Sequence, residues 1–384
     1  MTTASFNNRA QGFKPFHQLE HPREVIRQFT PNWFAATMGT GILALALPQV
    51  PGAPALFSQL GAGLWLFNIG LFLLFTLLYT ARWILFRREA SRIFGHSVVS
   101  MFIGTIPMGL ATIINGFLVF GIPRWGDDMI LVAQGLWWLD VALSIGCGVL
   151  IPYLMFTLQE HRIDQMTAVW LLPVVAAEVA AASGGLLAPH LADASAQFQT
   201  LMVSYVLWAY SVPLAMGILV ILILRMALHK LPHVNMAASS WLALGPIGTG
   251  ALGMLLLGAS APDIFAAQQL PEIGIAAASL GALVALLLWG FGFWWFLLAI
   301  LVTIRYFRAG IPFNLGWWGY TFPLGVYTLA TLKLGTLFQV SFFSIFGTLL
   351  VVVLASMWLL VSARTLQGGW KGSLFVSPCI AAVN

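Results

Sequence analysis

The segment GWWGYTFPLGVYTLATLKLG, residues 316–335, combines a membrane-like composition with an interruption. Most of its residues are apolar enough for a lipid bilayer, but Pro323 and several glycines stand inside it. Proline lacks a backbone N–H group and clashes with the carbonyl group one turn back, so it kinks or breaks a helix interior. We therefore predict a membrane helix that is interrupted at Pro323, with the bulky ring of Phe322 beside the interruption.

The composition of the whole chain is that of a polytopic membrane protein. Of its 384 residues, 60% are hydrophobic and 8% are charged, whereas soluble domains are typically about 25% charged. A span needs about 20 apolar residues. That length predicts ten transmembrane helices, at about 31–48, 61–86, 97–120, 129–157, 167–188, 199–226, 241–258, 273–305, 313–335 and 341–364.

The spans divide the chain into three predicted regions. A ten-helix transmembrane domain covers residues 29–364, and cytoplasmic tails cover 1–28 and 365–384. The mixed apolar and charged pattern of residues 15–28 is compatible with a short interfacial helix.

The distribution of basic residues predicts the orientation in the membrane. Of the 17 lysines and arginines, all but Arg124 and Lys333 fall in the tails or in loops that follow even-numbered spans. Cytoplasmic loops are enriched in Lys and Arg, so both termini are predicted to be cytoplasmic in a cell (inner or plasma) membrane. The net charge of +5 reflects this topology, and no basic run with exposed aromatic residues indicates a nucleic-acid partner.

The interruption at Pro323 recurs along the chain. Spans three, five and seven contain Pro107, Pro173 and Pro246, and Thr37 takes the corresponding position in span one. Successive positions are 66 to 77 residues apart, which is one two-helix unit. Interrupted backbone is tolerated in a membrane only where protein or a water-filled cavity meets it. We therefore predict five helical hairpins with quasi-fivefold symmetry, in which odd helices surround a central pore and even helices face lipid.

Hydroxyl and amide side chains accompany the interruptions and predict a weakly polar pore wall. No span has a Lys or Arg near its centre, so an anion would meet hydroxyl groups, backbone N–H groups and the positive ends of helix dipoles. A single threonine is more often bonded to its own helix, so the prediction rests on the set. The predicted pore-lining residues are Thr37, Thr40, Thr105, Pro107, Asn115, Pro173, Glu178, Pro246, Thr249, Thr321 and Pro323.

Asp140 and Glu178 are the only carboxylates deep inside the predicted spans. Such residues are costly in lipid and are therefore candidates for function. Glu178 follows Pro173 by five residues. Two roles fit it equally: a proton relay or anion-repelling group in the pore, and a neutral hydrogen-bonded carboxyl between helices. For Asp140, on span four, the structural interpretation is favoured.

The histidines do not indicate a metal centre, and no cofactor is predicted. His229 and His233 have i, i+4 spacing, but Pro232 disfavours a continuous helix and no Cys or carboxylate joins them. His96 lies at the predicted cytoplasmic mouth of span three and fits a basic flank better than an anion-collecting site. Lys333, near the outer end of span nine, suits anion steering or contact with lipid headgroups.

Six segments, in order along the chain, resemble the tellurite-resistance/dicarboxylate transporter family. They are FTPNWFAATMGTGI (29–42), GTIPMGLATIIN (104–115), LWWLDVALS (136–144), WLLPVVAAEVAAASGG (170–185), SYVLWAYSVPLAMG (204–217) and FNLGWWGYTFPLGVYTLAT (313–331). That family includes the bacterial TehA proteins, the malic acid permeases, the fungal sulfite efflux pumps and the slow-type anion channels of plant guard cells. Of these proteins, the sulfite efflux pumps have the motifs that these six segments resemble most.

The resemblance implies a ten-helix protomer with a central pore lined by the odd helices, and a homotrimer. It also implies that a phenylalanine on helix nine plugs the pore, and the motif YTFPLG places this ring at Phe322. The corresponding positions on the other odd spans hold the smaller or aliphatic residues Ala36, Ile106, Leu172 and Gly245.

These features predict a transporter or channel for small anions, with sulfite export first among the substrates. The alternatives are C4-dicarboxylate (malate) transport, with or without proton coupling, and chloride or nitrate conduction. An enzyme is not predicted, because no metalloprotease motif, nucleophile turn or Ser–His pair occurs at membrane depth. A membrane sensor or scaffold is a further class, which a measurement of anion flux would separate from a transporter.

Overall fold

The computed structural model describes residues 15–381, and its regular elements in that range are all helices. The described residues contain ten α-helices of 12 or more residues. They are α1 Ala35–Ala46, α2 Ala55–Leu85, α3 Thr105–Gly116, α4 Asp128–Thr157, α5 Leu172–Leu187, α6 Ala194–His229, α7 Leu244–Ala267, α8 Pro271–Ala309, α9 Phe322–Phe338 and α10 Ser341–Lys371. The predicted tails lie partly outside the described residues, and within 15–28 the α-helical part is Glu24–Arg27.

Eight helical segments of the described chain are long and apolar enough to cross a membrane. They contain α2 to α8 and α10, whereas α1 and α9, with 12 and 17 residues, are not among them. The polytopic all-helical fold is therefore confirmed, and the count of ten crossings stays a prediction. Helix α10 continues to Lys371, beyond the predicted end of the last span at residue 364.

Odd-numbered and even-numbered helices differ in how deeply they are buried. Every residue of α1 is buried, and so is 94% of the most apolar 18-residue stretch of Ala168–His190, which contains α5. In α2 and in α10, by contrast, only 28% of the most apolar 18-residue stretch is buried. A helix that is apolar all round and exposed in a single chain suits contact with lipid. The even helices therefore form the outer layer.

The five odd-numbered helices form a closed ring. Contacts run from α1 to α3, then to α5, α7 and α9, and from α9 back to α1. Each even helix packs against the odd helix before it and the odd helix after it, and α10 completes the outer layer by packing against α1. The predicted hairpins, with odd helices inside and even helices outside, are confirmed in this arrangement.

A fivefold set of tryptophan hydrogen bonds joins the outer layer to the ring. A buried indole N–H needs an acceptor, and one tryptophan on each outer helix finds it on the following odd helix. The bonds run from Trp65 to the carbonyl of Ile113 (3.1 Å), Trp137 to that of Ala180 (2.9 Å), Trp208 to that of Gly250 (3.0 Å), Trp289 to the hydroxyl of Thr331 (2.8 Å) and Trp358 to that of Thr40 (3.0 Å).

The repeated prolines begin the inner helices rather than interrupt them. Pro173 and Pro323 stand within the first two positions of α5 and α9, and Pro107 and Pro246 are third in α3 and α7. The first turn of a helix makes no use of these N–H groups, so proline removes no intrahelical bond there. Tighter 3₁₀ turns precede three of these helices, at Val99–Gly104, Ala168–Leu171 and Leu315–Tyr320.

Candidate functional site

A cavity of about 600 Å³, here called the vestibule, lies at one end of the inner ring. All five repeats line it with the turn that precedes or begins their inner helix. The lining includes Asn32 and Met38, Phe102 and Thr105, Val169 and Leu172, Ser239 and Leu242, and Trp318 and Phe322. The vestibule is therefore centred on the ring and belongs to no single hairpin.

The vestibule ends at the level of Phe322. Phe322 and Pro323 are the last residues of α9 that line it, and Leu172 and Met38 are the last of α5 and α1. The ring of Phe322 is only 3% exposed. The side chain of Phe322 is therefore nearly buried at the deepest level at which α9 lines the vestibule.

Gly245 has open space beside its Cα atom at the corresponding position of α7. This glycine is buried, yet a Cβ atom built on it would meet no atom within 4 Å. Every other buried glycine of the described residues has a neighbour within that distance. Gly245 precedes Pro246 as Phe322 precedes Pro323. The open space on α7 and the phenyl ring on α9 therefore occupy matching positions of the repeat.

The vestibule combines five helix N-termini with uncharged side chains. The N-terminal ends of all five inner helices meet there, and a helix N-terminus carries a partial positive charge and free N–H groups. Among the described residues that line the vestibule there is no Asp, Glu, Lys or Arg, and His96 is the titratable side chain.

The imidazole of His96 is held in one orientation by the backbone that follows it. Its Nδ1 accepts hydrogen bonds from the N–H groups of Val98 (3.1 Å) and Val99 (3.2 Å). Because Nδ1 is an acceptor, the ring proton of the neutral form sits on Nε2. Burial lowers the pKa of His96, since the charged imidazolium would lose its hydration. The ring is therefore neutral at neutral pH.

Three of the predicted site residues, Thr105, Phe322 and Pro323, line the vestibule. The hydroxyl of Thr105 lies 2.9 Å from the carbonyl of Pro31 and 2.7 Å from that of Phe102. It therefore links the N-terminal turns of α1 and α3. The other predicted site residues are not among those that line the vestibule.

Several predicted threonines lie at contacts between helices. Thr37 donates to the carbonyl of Phe34 and packs against Gly109 of α3. Thr40 accepts the indole N–H of Trp358, which directs its hydroxyl towards α10. Thr321 donates to the carbonyl of Trp318 at 2.7 Å and packs against Gly39 of α1. In these positions small polar groups let inner helices approach closely.

Buried polar atoms without a hydrogen-bond partner in the described chain include those of Asn115, Ser183 and Thr249, each on an inner helix. Ser183 follows Leu172 by eleven residues and Lys333 follows Phe322 by eleven. Because eleven residues make three helical turns, Ser183 and Lys333 lie on the helix faces that Leu172 and Phe322 turn to the vestibule. Thr249 follows Leu242 by seven residues, about two turns.

The two membrane carboxyls are likewise buried without a hydrogen-bond partner in the described chain, and both lie at helix contacts. Glu178 is fully buried beside Ser211 of α6, whose hydroxyl donates to the carbonyl of Val174 at 2.9 Å. It follows Leu172 by six residues, which turns it away from the face that lines the vestibule. Asp140 lies between Trp137 and Ser144, two residues of α4 that donate to carbonyls of α5.

The C-terminal segment after α10 forms one wall of the vestibule, a role that was not predicted from the sequence. Its residues Ser373, Leu374, Val376 and Pro378 line the cavity. Buried Arg82 of α2 donates to the hydroxyl of Ser377 at 3.1 Å, and the N–H of Ser377 donates to Gln28 Oε1 at 2.8 Å. Phe375 stacks on Trp33, with ring centroids 4.9 Å apart. In the sequence, the only indication of this contact was Arg82, a basic residue near the end of span two.

Comparison with known proteins identifies the family. Residues 28–366 match the family model of the voltage-dependent anion channels, SLAC1. The chain belongs to this SLAC1 family. The match covers all five inner helices and all but the last turn or so of α10, so the ring and most of the vestibule lie within it.

Individual SLAC1-family relatives match over most of their length. The chain is 38% identical to the sulfite efflux pump of Arthroderma benhamiae, over 94% of this chain and 98% of the pump. It is 28% identical to an uncharacterized transporter of Methanocaldococcus jannaschii, over 93% and 98% of the two chains. The malic acid transport protein of Schizosaccharomyces pombe is more distant, at 25% identity over 88% of this chain and 77% of that protein. The family resemblance predicted from the motifs is confirmed, and these relatives are named as transporters.

Proposed function

We propose that this SLAC1-family protein exports sulfite through the centre of the inner ring, with Phe322 as the gate. The observation that carries the proposal is the vestibule, which is lined by all five repeats and ends at Phe322. The substrate is proposed from the similarity to the sulfite efflux pump of Arthroderma benhamiae over nearly the whole chain.

The lining chemistry supports transport rather than tight capture. Conduction requires that an ion enter readily and also leave. A buried lysine or arginine would bind sulfite strongly, but the vestibule offers neutral hydroxyl, amide and imidazole groups beneath five helix N-termini. These groups attract an anion and release it again. Beyond Phe322, the proposed path follows Ser183, Thr249 and Lys333, while Thr105 and Pro323 stay at its vestibule end.

The position of Phe322 supports its role as a gate. A large apolar ring at a constriction blocks ions both sterically and by excluding water. The gap beside Gly245 offers empty space at the corresponding level of α7. In the proposed open state, the ring of Phe322 turns out of the path and towards such space.

We further propose ten crossings, with both tails and the vestibule on the cytoplasmic side of the cell membrane, and a homotrimer as the assembly. The described segments near the two termini support a shared side, because residues on both, Asn32 and Ser373, line the vestibule. In this arrangement the 29–364 domain carries anions outward, and Lys333 lies at the outer mouth.

The substrate is tested by anion flux into or out of liposomes that contain the purified protein. Sulfite, malate, chloride and nitrate are compared at equal concentration, with and without a pH gradient. We expect sulfite to move faster than the other three and empty liposomes to move none at this rate. Equal rates for protein-containing and empty liposomes would contradict a transport function altogether.

Malate is the second candidate. The malic acid transport protein of Schizosaccharomyces pombe is a relative over 88% of the chain, and a vestibule of about 600 Å³ accommodates a dicarboxylate. In the same flux experiment, malate movement that exceeds sulfite movement and depends on the pH gradient would favour this alternative. Fast chloride or nitrate movement that exceeds both would instead indicate a channel for simple monovalent anions.

A further inference from the structure

His96 is the titratable side chain of the vestibule, and its ring has only one free polar edge. The Nδ1 edge is occupied, since it accepts from the N–H groups of Val98 and Val99. The proton of the neutral ring is therefore on Nε2, on the opposite edge. No residue of the described chain accepts a hydrogen bond from this Nε2–H group.

Two other polar side chains of the vestibule, those of Asn314 and Ser373, have internal partners. The side chain of Asn314 accepts from the N–H of Gly316 at 2.8 Å and donates to the carbonyl of Asn235 at 3.0 Å. The hydroxyl of Ser373 donates to the carbonyl of Gly368 at 3.3 Å. These two groups shape the wall, whereas Asn32 Oδ1 has no partner in the described chain. Asn32 Oδ1 can only accept a hydrogen bond, so it does not pair with the oxygens of an anion, but the Nε2–H of His96 keeps its hydrogen available to one.

We propose that His96 is a binding residue for the transported anion, and that its Nε2–H donates to an oxygen of a small oxyanion in the vestibule. The inference rests on the proposed function, since it names a contact on the same path. It explains how a wall without fixed charge can still orient an oxyanion before it reaches Phe322. A hydrogen bond to a charged acceptor is stronger than one between neutral groups.

Two substitutions separate the binding role from the structural one. In His96→Asn, the amide oxygen stands near the position of Nδ1 and still accepts from the backbone of Val98 and Val99, but the distal donor is lost. In His96→Gln, the amide nitrogen stands near the position of Nε2 and keeps the donor, but the backbone contact is lost. The matched control is His233→Asn, because His233 does not line the vestibule, although its Nδ1 also accepts a backbone N–H, that of the lining residue Asn235, at 3.3 Å.

The test is titration of the purified protein with sodium sulfite at neutral pH, together with the half-saturation concentration of sulfite flux. We expect His96→Asn to raise both the dissociation constant for sulfite and the half-saturation concentration of flux about tenfold, because a hydrogen bond to a charged group is lost. His96→Gln should stay within a few-fold of wild type in sulfite affinity but melt at a lower temperature. His233→Asn should leave both sulfite measurements unchanged.

The outcomes distinguish this inference from the proposed function. Equal sulfite affinity in wild type and His96→Asn would show that His96 only caps its turn, and would overturn the inference. Absence of sulfite binding to the wild-type protein would also overturn it. A wild-type protein that binds sulfite through His96 but does not move it would support the inference and refute the proposed function.

Discussion

Phe322 and Gly245 show how one position of the repeat differs between two inner helices. Both precede a proline at the start of an inner helix, but one carries the largest side chain of the set and the other carries none. Phe322 lines the vestibule, and Gly245 borders the one gap found beside a buried glycine of the described chain. In the proposed mechanism the ring needs such space in order to move.

Gly245→Leu should therefore reduce sulfite flux several-fold, because the new side chain occupies the gap. Gly245→Ala is the matched control. A Cβ atom fits there without contact, so its flux should stay near wild type. Both variants are measured in liposomes at equal protein content, after a check that they melt near the wild-type temperature. Unchanged flux in a folded Gly245→Leu variant would show that the gap has no part in gating.

Individual residues were predictable from the sequence only where a local motif specifies them. The motif TFPLG predicts Phe322 beside the interruption of span nine, and in the structure this residue begins α9 and lines the vestibule. The orientation of Thr40 depends on Trp358, which is 318 residues away in sequence. No local pattern contains that partner, so a threonine near an interruption could not be assigned to the pore or to a helix contact.

At the scale of elements, the repeated prolines were found correctly but their place in the helix was not. Proline is excluded from helix interiors and favoured in the first turn, so the same residue fits an interrupted long helix and the start of a shorter one. The decision depends on tertiary contacts of the preceding turn, such as the contact of Gly104 with the backbone of Leu172. The structure selects the helix start in all four cases.

The tryptophan bonds between layers give a prediction for stability. Trp137→Phe removes the N–H that donates to the carbonyl of Ala180, and the loss of one buried hydrogen bond costs about 1 kcal/mol. We expect a lower melting temperature in detergent. Trp138→Phe is the matched control on the next residue, since Trp138 is 44% exposed on the outer face. Equal melting temperatures for the two variants would contradict a structural role for the tryptophan set.

At the scale of the whole molecule, burial and contact patterns give the two layers that the sequence repeat predicted. The apolar composition of every span hides the difference between inner and outer helices, and the proline repeat was the one feature that separated them. The closed ring follows from five equivalent hairpins, each too small to bury its inner helix alone. The C-terminal wall of the vestibule was not predictable, because it depends on contacts of Ser377 with Arg82 and Gln28 across the whole chain.

We propose above all that the phenyl ring of Phe322 closes an anion path through the centre of the protein. The most direct test is sulfite flux through liposomes that contain either the wild-type protein or Phe322→Ala. The same substitution at Phe156, which is 82% exposed on the outer layer, serves as the control. If Phe322 is the gate, Phe322→Ala raises sulfite flux at least several-fold while Phe156→Ala leaves it unchanged. Unchanged or lower flux in a correctly folded Phe322→Ala protein would contradict it.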